Sequence, residues 1–112
     1  MEKRTPHYTL SRIKELVRRG AYRVTRTALL CAARDFGYVE TSQLAECVLA
    51  LESRSFYKSM TTHHDSTLWQ DVYRPTVKGT PAYVKIQIVS AQEPARRDDT
   101  MVVISFKRLE EV

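Results

Sequence analysis

The sequence predicts a single α+β domain over residues 1–112, an antiparallel sheet with helices packed on one face. The first half of the chain places apolar residues at helical spacing, and after Ser53 the pattern changes to the alternation typical of strands. No repeat, low-complexity segment or linker divides the chain. Helices followed by strands favour separate helical and sheet layers over alternating β–α units.

Three helices are predicted in the first half. The first has Thr9 as its N-cap and stops at Gly20, and the second runs from about Thr25 to Phe36 and ends at Gly37. The third begins near Thr41, where a Thr-x-x-Leu start takes the place of a full capping box. The residues expected to face the core are Leu10, Ile13, Leu16 and Val17, then Ala28, Leu29, Ala32, Ala33 and Phe36, then Leu44, Val48 and Leu51.

Four strands are predicted in the second half, because aromatic and β-branched residues alternate there with polar ones. They are Phe56–Thr61, Thr67–Arg74, Ala82–Ser90 and Thr100–Arg108. Pro75, Gly79 and Pro81 bracket one predicted turn. The stretch Ala91–Asp99, with a proline and five charges, is predicted to be a loop.

Alternation assigns the side chains of the last two strands to opposite faces of the sheet. In the third strand, Val84, Ile86 and Ile88 oppose Tyr83, Lys85 and Gln87. In the fourth, Val102, Ile104 and Phe106 are predicted to oppose Met101, Val103, Ser105 and Lys107. One face is therefore expected to be apolar and covered by helices. The other is expected to expose Tyr83, Lys85, Ser105 and Lys107 beside Lys58 and Gln70 or Arg74. This combination suits a phosphate-bearing ligand, but a solvated sheet face has the same composition, and the pattern alone slightly favours the solvated face.

The charge of the chain favours a polyanionic partner. The net charge is +5, and residues 1–36 carry nine Lys or Arg against three acidic residues. A basic surplus favours RNA or DNA, although Lys and Arg also solvate helix faces, and charge alone leaves both interpretations open. No apolar run approaches the roughly 20 residues of a membrane span, and the polar start lacks the apolar stretch of a signal peptide. We therefore expect a cytoplasmic protein with no membrane partner.

No metal and no cofactor are predicted. Cys31 and Cys47 lie in apolar helical patterns without a CxxC partner, so we interpret them as core residues rather than as a disulfide or metal ligands. His63-His64-Asp65 offers three metal-capable side chains in a row, but adjacent side chains point apart. His63 and His64 are ordinary loop residues or, alternatively, act near a bound nucleic acid. Tyr57, Trp69 and Tyr73 are predicted to pack in the sheet rather than to stack on a base.

Several segments closely resemble the MqsR family of toxins, the motility quorum-sensing regulators. The central likeness is carried by Phe56-Tyr57-Lys58-Ser59-Met60-Thr61-Thr62 and by Trp69-Gln70-Asp71-Val72-Tyr73-Arg74-Pro75. The segments Met1–His7, Thr25–Leu30 and Ile104–Lys107 are similar to the family as well, so the likeness spans nearly the whole chain. Residues 63–66 and the apparent insertion at residues 91–100 depart from the family pattern.

The resemblance implies a fold like that of the RelE and YoeB toxins and an endoribonuclease that cleaves mRNA without the ribosome, at GCU-type sites. It also implies a partner antitoxin with a zinc-binding N-terminal domain and a helix-turn-helix domain, through which operator DNA is reached. The zinc would belong to the antitoxin. Carried over by motif, the family's functional positions fall on Lys58, Gln70, Tyr83 and Lys107.

These residues fit metal-free RNA cleavage, in which the 2′-OH attacks the adjacent phosphate. Lys58 is predicted to stabilise the developing charge, or to transfer a proton if neighbouring cations lower its pKa. Gln70 would orient the phosphate or the 2′-OH, and Tyr83 would transfer a proton or stack on a base. The predicted RNA-binding residues are Arg74, Lys85, Lys107 and His63. The acid and the base stay unassigned, and a non-catalytic RNA- or DNA-binding regulator or an antitoxin-docking module are the alternatives.

Overall fold

The computed structural model describes residues 1–90 and 98–110. Within them the helices are α1 (Leu10–Arg18), α2 (Arg26–Phe36) and α3 (Thr41–Leu49), and a short 3₁₀ turn covers Ser53–Ser55. The strands are β1 (Glu2–Lys3), β2 (Tyr22–Val24), β3 (Phe56–Thr61), β4 (Trp69–Tyr73), β5 (Thr76–Val77), β6 (Thr80–Ser90) and β7 (Asp99–Arg108). The predicted α+β class is confirmed, and no helix of the described residues is long and apolar enough to cross a membrane.

The strands form one sheet in the order β1-β3-β4-β6-β7-β2, with β5 paired to the beginning of β6. All neighbours are antiparallel except β2, which pairs parallel with β7. The four predicted strands are present, but β1, β2 and β5 were not foreseen. These strands have two or three residues, too few for a periodic pattern, and each exists because a longer strand supplies its backbone partners.

The helix ends follow the sequence signals with one exception. The Thr9 hydroxyl accepts from the Arg12 N–H in α1, and the Thr25 hydroxyl accepts from the Ala28 N–H in α2. Gly37 ends α2 at a φ of 71°. The third helix begins at Thr41 as predicted, but its cap was interpreted wrongly: the N-cap is Glu40, and the Gln43 side chain accepts from the Glu40 N–H at 3.0 Å. A capping box therefore does exist, with an acid in place of the usual hydroxyl residue.

The beginnings of three strands differ from prediction. Thr67 lies in a turn rather than in β4, because the Asp65 carboxylate accepts from its N–H and its hydroxyl. Pro81 lies inside β6 rather than in the turn, and Lys78 and Gly79 alone make the tight β5–β6 connection, both with positive φ. Asp99 begins β7 opposite Ser90, so the predicted loop is wrong at its last residue, and residues 91–97 lie outside the described residues.

The core lies between the three helices and one face of the sheet. Its fully buried members include Ile13 and Leu16 of α1, Ala28 and Ala32 of α2, Leu44 and Val48 of α3, and Val84, Ile86 and Phe106 of the sheet. This is the predicted apolar face. Cys47 packs against this core as a partly exposed free thiol, whereas Cys31, also free, lies outside the cluster, contrary to prediction.

The predicted face assignment of β7 is wrong for its first half. Met101 and Val103 belong to the core cluster with Phe106, and Val102 does not. The cause is a bulge: Lys85 pairs with Ser105 but Ile86 pairs with Val103, so Ile104 is an extra residue. An extra residue reverses the alternation, which is why the simple period fails here and why Lys107 still faces away from the core.

Candidate nucleic-acid interface

The sheet face opposite the helices carries a row of side chains that crosses four strands. Lys58 of β3 pairs with Val72 of β4, Val72 pairs with Lys85 of β6, and Lys85 pairs with Ser105 of β7. Because directly opposite residues share a face, the two lysines flank Val72 on the same surface. Val72 is fully buried although it is outside the core cluster. A buried apolar side chain therefore lies between the two lysines of this row. We call this surface the basic face.

A second bulge places Tyr57 on the basic face as well. Phe56 pairs with Tyr73 but Lys58 pairs with Val72, so Tyr57 is the extra residue of β3. The Arg74 guanidinium carbon lies 3.4 Å from the Tyr57 ring centroid, and the Lys58 Nζ lies 5.5 Å from it. The expectation that Tyr57 packs inside the sheet is therefore wrong. Strict alternation would put Tyr57 and Lys58 on opposite faces, whereas the bulge brings both to the basic face. Tyr73, by contrast, is buried in the core as predicted.

The lysines and tyrosines of this face perturb one another's ionisation. A hydrogen bond with Arg4 and the charge of Arg74 lower the pKa of Tyr57. Burial raises the pKa of Tyr83, although the charges of Lys58 and Arg74 oppose the change. The two phenols thus shift in opposite directions because one is solvated among cations and the other is partly enclosed.

Lys85 is a half-buried cation of this face and has two other lysines as neighbours. Burial lowers the pKa of Lys85, and the charges of Lys107 and Lys58 lower it further. The Nζ atoms of Lys85 and Lys107 lie 5.8 and 5.5 Å from the Tyr83 ring centroid. Tyr83 and Lys107 are directly opposite each other on β6 and β7, so the structure brings together these three predicted residues.

Gln70 lies in the neighbouring row of the same face. It pairs with Met60 of β3, and its Nε2 donates to the Gln87 Oε1 at 2.9 Å. Gln87 is buried, so its hydrogen bond holds the Gln70 amide in one orientation. Gln70 is therefore held in place without being charged, which suits an orienting role.

The N-terminal segment contributes residues that the sequence analysis did not single out. The Glu2 carboxylate accepts from the Lys58 Nζ at 2.6 Å, because β1 pairs with β3 and places Glu2 opposite Met60. The buried Asp71 fixes the same segment from the other side of the sheet: it accepts from the N–H groups of His7 and Tyr8 and from the Ser59 hydroxyl. A two-residue strand gives no periodic signal, so only the sequence likeness of residues 1–7 pointed to this segment.

His63 is not part of this arrangement. His63 and His64 are exposed in the connection between β3 and β4, next to the turn that Asp65 stabilises. Within the described residues no three His, Cys, Asp or Glu side chains are close enough to form a metal site. The predicted contact of His63 with RNA stays a prediction.

A cleft of about 350 Å³ continues from Arg74 toward the end of α3. Its lining residues are Ala50, Glu52, Arg54, Ser55, Arg74, Pro75 and Thr76. The Arg54–Glu52 ion pair at its edge is exposed, so an anion competes with Glu52 at small cost. The cleft therefore extends the basic face beyond the sheet.

This small α+β protein has an open sheet face with clustered cations, two tyrosines and a fixed amide, a combination that suits a phosphate-bearing polymer. The family model described as "Motility quorum-sensing regulator, toxin of MqsA" matches residues 5–108, and the chain belongs to this family. The "mRNA interferase toxin MqsR" of Escherichia coli (strain K12) is 41% identical over 107 residues, which cover 96% of this chain and 98% of that protein. The predicted family is therefore confirmed.

Proposed function

We propose that this chain is an mRNA interferase toxin, an endoribonuclease that cleaves mRNA without the ribosome or a metal ion and thereby inhibits growth. The observation that carries the proposal is the basic face, where Lys58 and Lys85 flank a buried Val72 and Lys107 lies beside them. Membership in a toxin family and the name of the related E. coli protein support the same activity.

The basic face suits the transition state of this reaction. An RNA phosphate above Val72 lies between two ammonium groups, which stabilise the extra negative charge of the five-coordinate phosphorus. Arg74 and Lys107 bind neighbouring phosphates, and Gln70 donates to a phosphate oxygen or orients the 2′-OH. Tyr83 stacks on a base or donates a hydrogen bond, because its raised pKa keeps the phenol protonated.

The finer parts of the proposal follow from the family likeness. Residues 1–112 act as a single toxin domain of RelE-like fold in the cytoplasm, cleaving at GCU-type sites. An antitoxin with a zinc-binding N-terminal domain and a helix-turn-helix domain neutralises the chain and carries it to operator DNA. The family description, "toxin of MqsA", pairs these toxins with a second protein, which supports such a partner.

Incubation of the purified protein with a defined RNA in the presence of EDTA tests the proposal. We expect fragments that end in a 2′,3′-cyclic phosphate, and we expect their yield to be unchanged by the chelator. The Lys58→Ala variant should lose the activity, whereas Arg19→Ala, which removes an exposed cation at the C-cap of α1, should keep it. RNA binding without cleavage by the wild-type protein would instead favour the non-catalytic regulator.

A further inference from the structure

We propose that Glu2 and Lys85 are the general base and the general acid of RNA cleavage, on opposite sides of the phosphate that the basic face binds. This inference rests on the proposed endoribonuclease activity and assigns the two proton transfers that the activity requires. Neither residue is among the positions that the family likeness marks as catalytic.

Glu2 brings a carboxylate into a surface that is otherwise cationic. Its Oε1 lies 2.6 Å from the Lys58 Nζ, and among the described residues no other acid forms an ion pair with Lys58, Arg74, Lys85 or Lys107. The Glu2 side chain is half-exposed, so its carboxylate stays accessible to an RNA bound on the basic face. Lys58 has three N–H donors and holds Glu2 and a phosphate oxygen at the same time.

The position of Glu2 is fixed by backbone contacts rather than by its charge. β1 pairs with β3, the Met1 carbonyl accepts from the Thr61 N–H at 3.0 Å, and the Met1 amine donates to the Thr61 hydroxyl at 3.1 Å. A carboxylate held at the edge of a phosphate site accepts the proton of a 2′-OH that approaches that phosphate. The hydrogen bond from Lys58 lowers the pKa of Glu2, which keeps the carboxylate ionised at neutral pH and makes it a weaker base, so the assignment rests on its position beside the phosphate site.

Lys85 lies on the far side of the same site. Val72 separates it from Lys58, and two strand spacings put the two backbones about 10 Å apart, enough for a phosphate between the side chains. Lys85 is half-buried with Lys58 and Lys107 as neighbours, and both charges favour release of its proton. Lys58 already donates to the Glu2 carboxylate at 2.6 Å, whereas Lys85 forms no ion pair among the described residues.

The two transfers balance in one displacement. The Glu2 carboxylate takes the 2′-OH proton as the 2′-oxygen forms its bond to phosphorus. The bond from phosphorus to the 5′-oxygen breaks, and the Lys85 ammonium gives its proton to that oxygen. The products are a 2′,3′-cyclic phosphate and a 5′-hydroxyl, and exchange with water returns the proton from Glu2 to Lys85.

The rate should depend on pH through both groups. Glu2 is faced by Lys58, Arg4 and the Met1 amine, and it also interacts with Tyr83. Lys85 is faced by Lys58 from β3 and by Lys107 from β7, beside Tyr83 on its own strand. Cleavage needs Glu2 ionised and Lys85 protonated, so the rate falls in acid as Glu2 gains its proton. It also falls in base, at a lower pH than for an ordinary lysine.

An RNA whose scissile 5′-oxygen is replaced by sulfur separates the two roles, because a thiolate leaves without a proton donor. We expect Glu2→Gln and Lys85→Arg each to lower kcat on ordinary RNA by about 10²-fold or more. On the 5′-sulfur substrate Lys85→Arg should regain the wild-type rate, and Glu2→Gln should not. Glu2→Gln should also abolish the acid limb of the pH–rate profile. Glu15→Gln and Lys14→Arg on α1 are the matched controls.

Other outcomes overturn the assignment. A Lys85→Arg defect that is equal on both substrates, or that appears in KM alone, would mean that Lys85 only binds RNA. An acid limb that persists in Glu2→Gln would mean that Glu2 only positions Lys58. If the wild-type protein cleaves neither substrate, the proposed endoribonuclease activity itself fails, and this result is distinct from a cleaving wild type with silent variants. Thermal unfolding of each variant confirms that it is folded.

Discussion

The two faces of the sheet are built from alternate residues of the same strands, yet they contribute to the stability of the fold with opposite signs. On the packed face Val84, Ile86 and Phe106 are fully buried against helices, and every contact favours the folded state. On the basic face Lys85 is half-buried beside Lys107 and Lys58, and burial together with these two charges lowers its pKa. The first face stabilises the fold, whereas the second opposes it slightly and is completed by a polyanion.

We therefore expect substitutions on the packed face to change the free energy of unfolding, and substitutions on the basic face to change activity. Phe106→Ala should have the largest effect on the free energy of unfolding, because Phe106 is fully buried and packs edge-on against Phe36. The centroids of the two rings are 5.5 Å apart. We expect a loss of about 3–5 kcal/mol in urea unfolding. Ser105→Ala, the neighbouring residue on the other face, is the control. A loss below about 1 kcal/mol for Phe106→Ala would contradict the comparison.

Lys58→Ala should have the largest effect on activity. Removing one charge that stabilises the transition state should lower kcat by about 10²–10³-fold. The free energy of unfolding should change by no more than about 1 kcal/mol, since the ion pair with the half-exposed Glu2 contributes little and only the Lys58 stem loses packing. Cleavage of a labelled RNA and urea unfolding of the same preparation measure both. A large loss of stability would show that the two faces are not energetically separate.

Most of the packed face could be predicted from the sequence. The helical stripes of Ile13, Leu16 and Leu44 and the alternation of Val84 and Ile86 are local periods, and burial follows such periods closely. The capping threonines and Gly37 marked the helix boundaries for the same local reason. The prediction failed at Met101 and Val102, where one bulge reverses the faces.

Less of the basic face could be predicted. Lys85 and Lys107 were placed by alternation, and Lys58 and Gln70 by alternation together with family likeness. Tyr57 was missed because a bulge is a property of two paired strands, not of either sequence. Glu2 was missed because its contact with Lys58 spans 56 residues and depends on an edge strand of two residues.

Thr25 connects the N-terminus of α2 to the bulge in β7, so its substitution should affect both faces. Its hydroxyl accepts from the Ala28 N–H as the cap of α2 and donates to the Ile104 carbonyl, at the bulge, over 3.1 Å. We expect Thr25→Ala to lower the free energy of unfolding by about 1 kcal/mol and to reduce cleavage as well, because the bulge orients Lys107. Thr25→Ser keeps the hydroxyl and should restore both. If cleavage is unaffected while stability falls, the bulge does not depend on this bond.

The smallest effect concerns how each face responds to salt. Arg74 lies on the Tyr57 ring and contributes one charge to RNA binding, so Arg74→Ala should make the slope of log affinity against log salt shallower by about 0.7 for single-stranded RNA. A 2′-O-methyl RNA, which cannot be cleaved, allows the measurement at equilibrium. Arg74→Lys keeps the charge and loses planar stacking, so it should weaken binding at every salt concentration without changing the slope. Val84→Ala on the packed face should change neither quantity in the folded protein. An unchanged slope for Arg74→Ala would place RNA elsewhere, because counterion release depends only on the charges that meet phosphate.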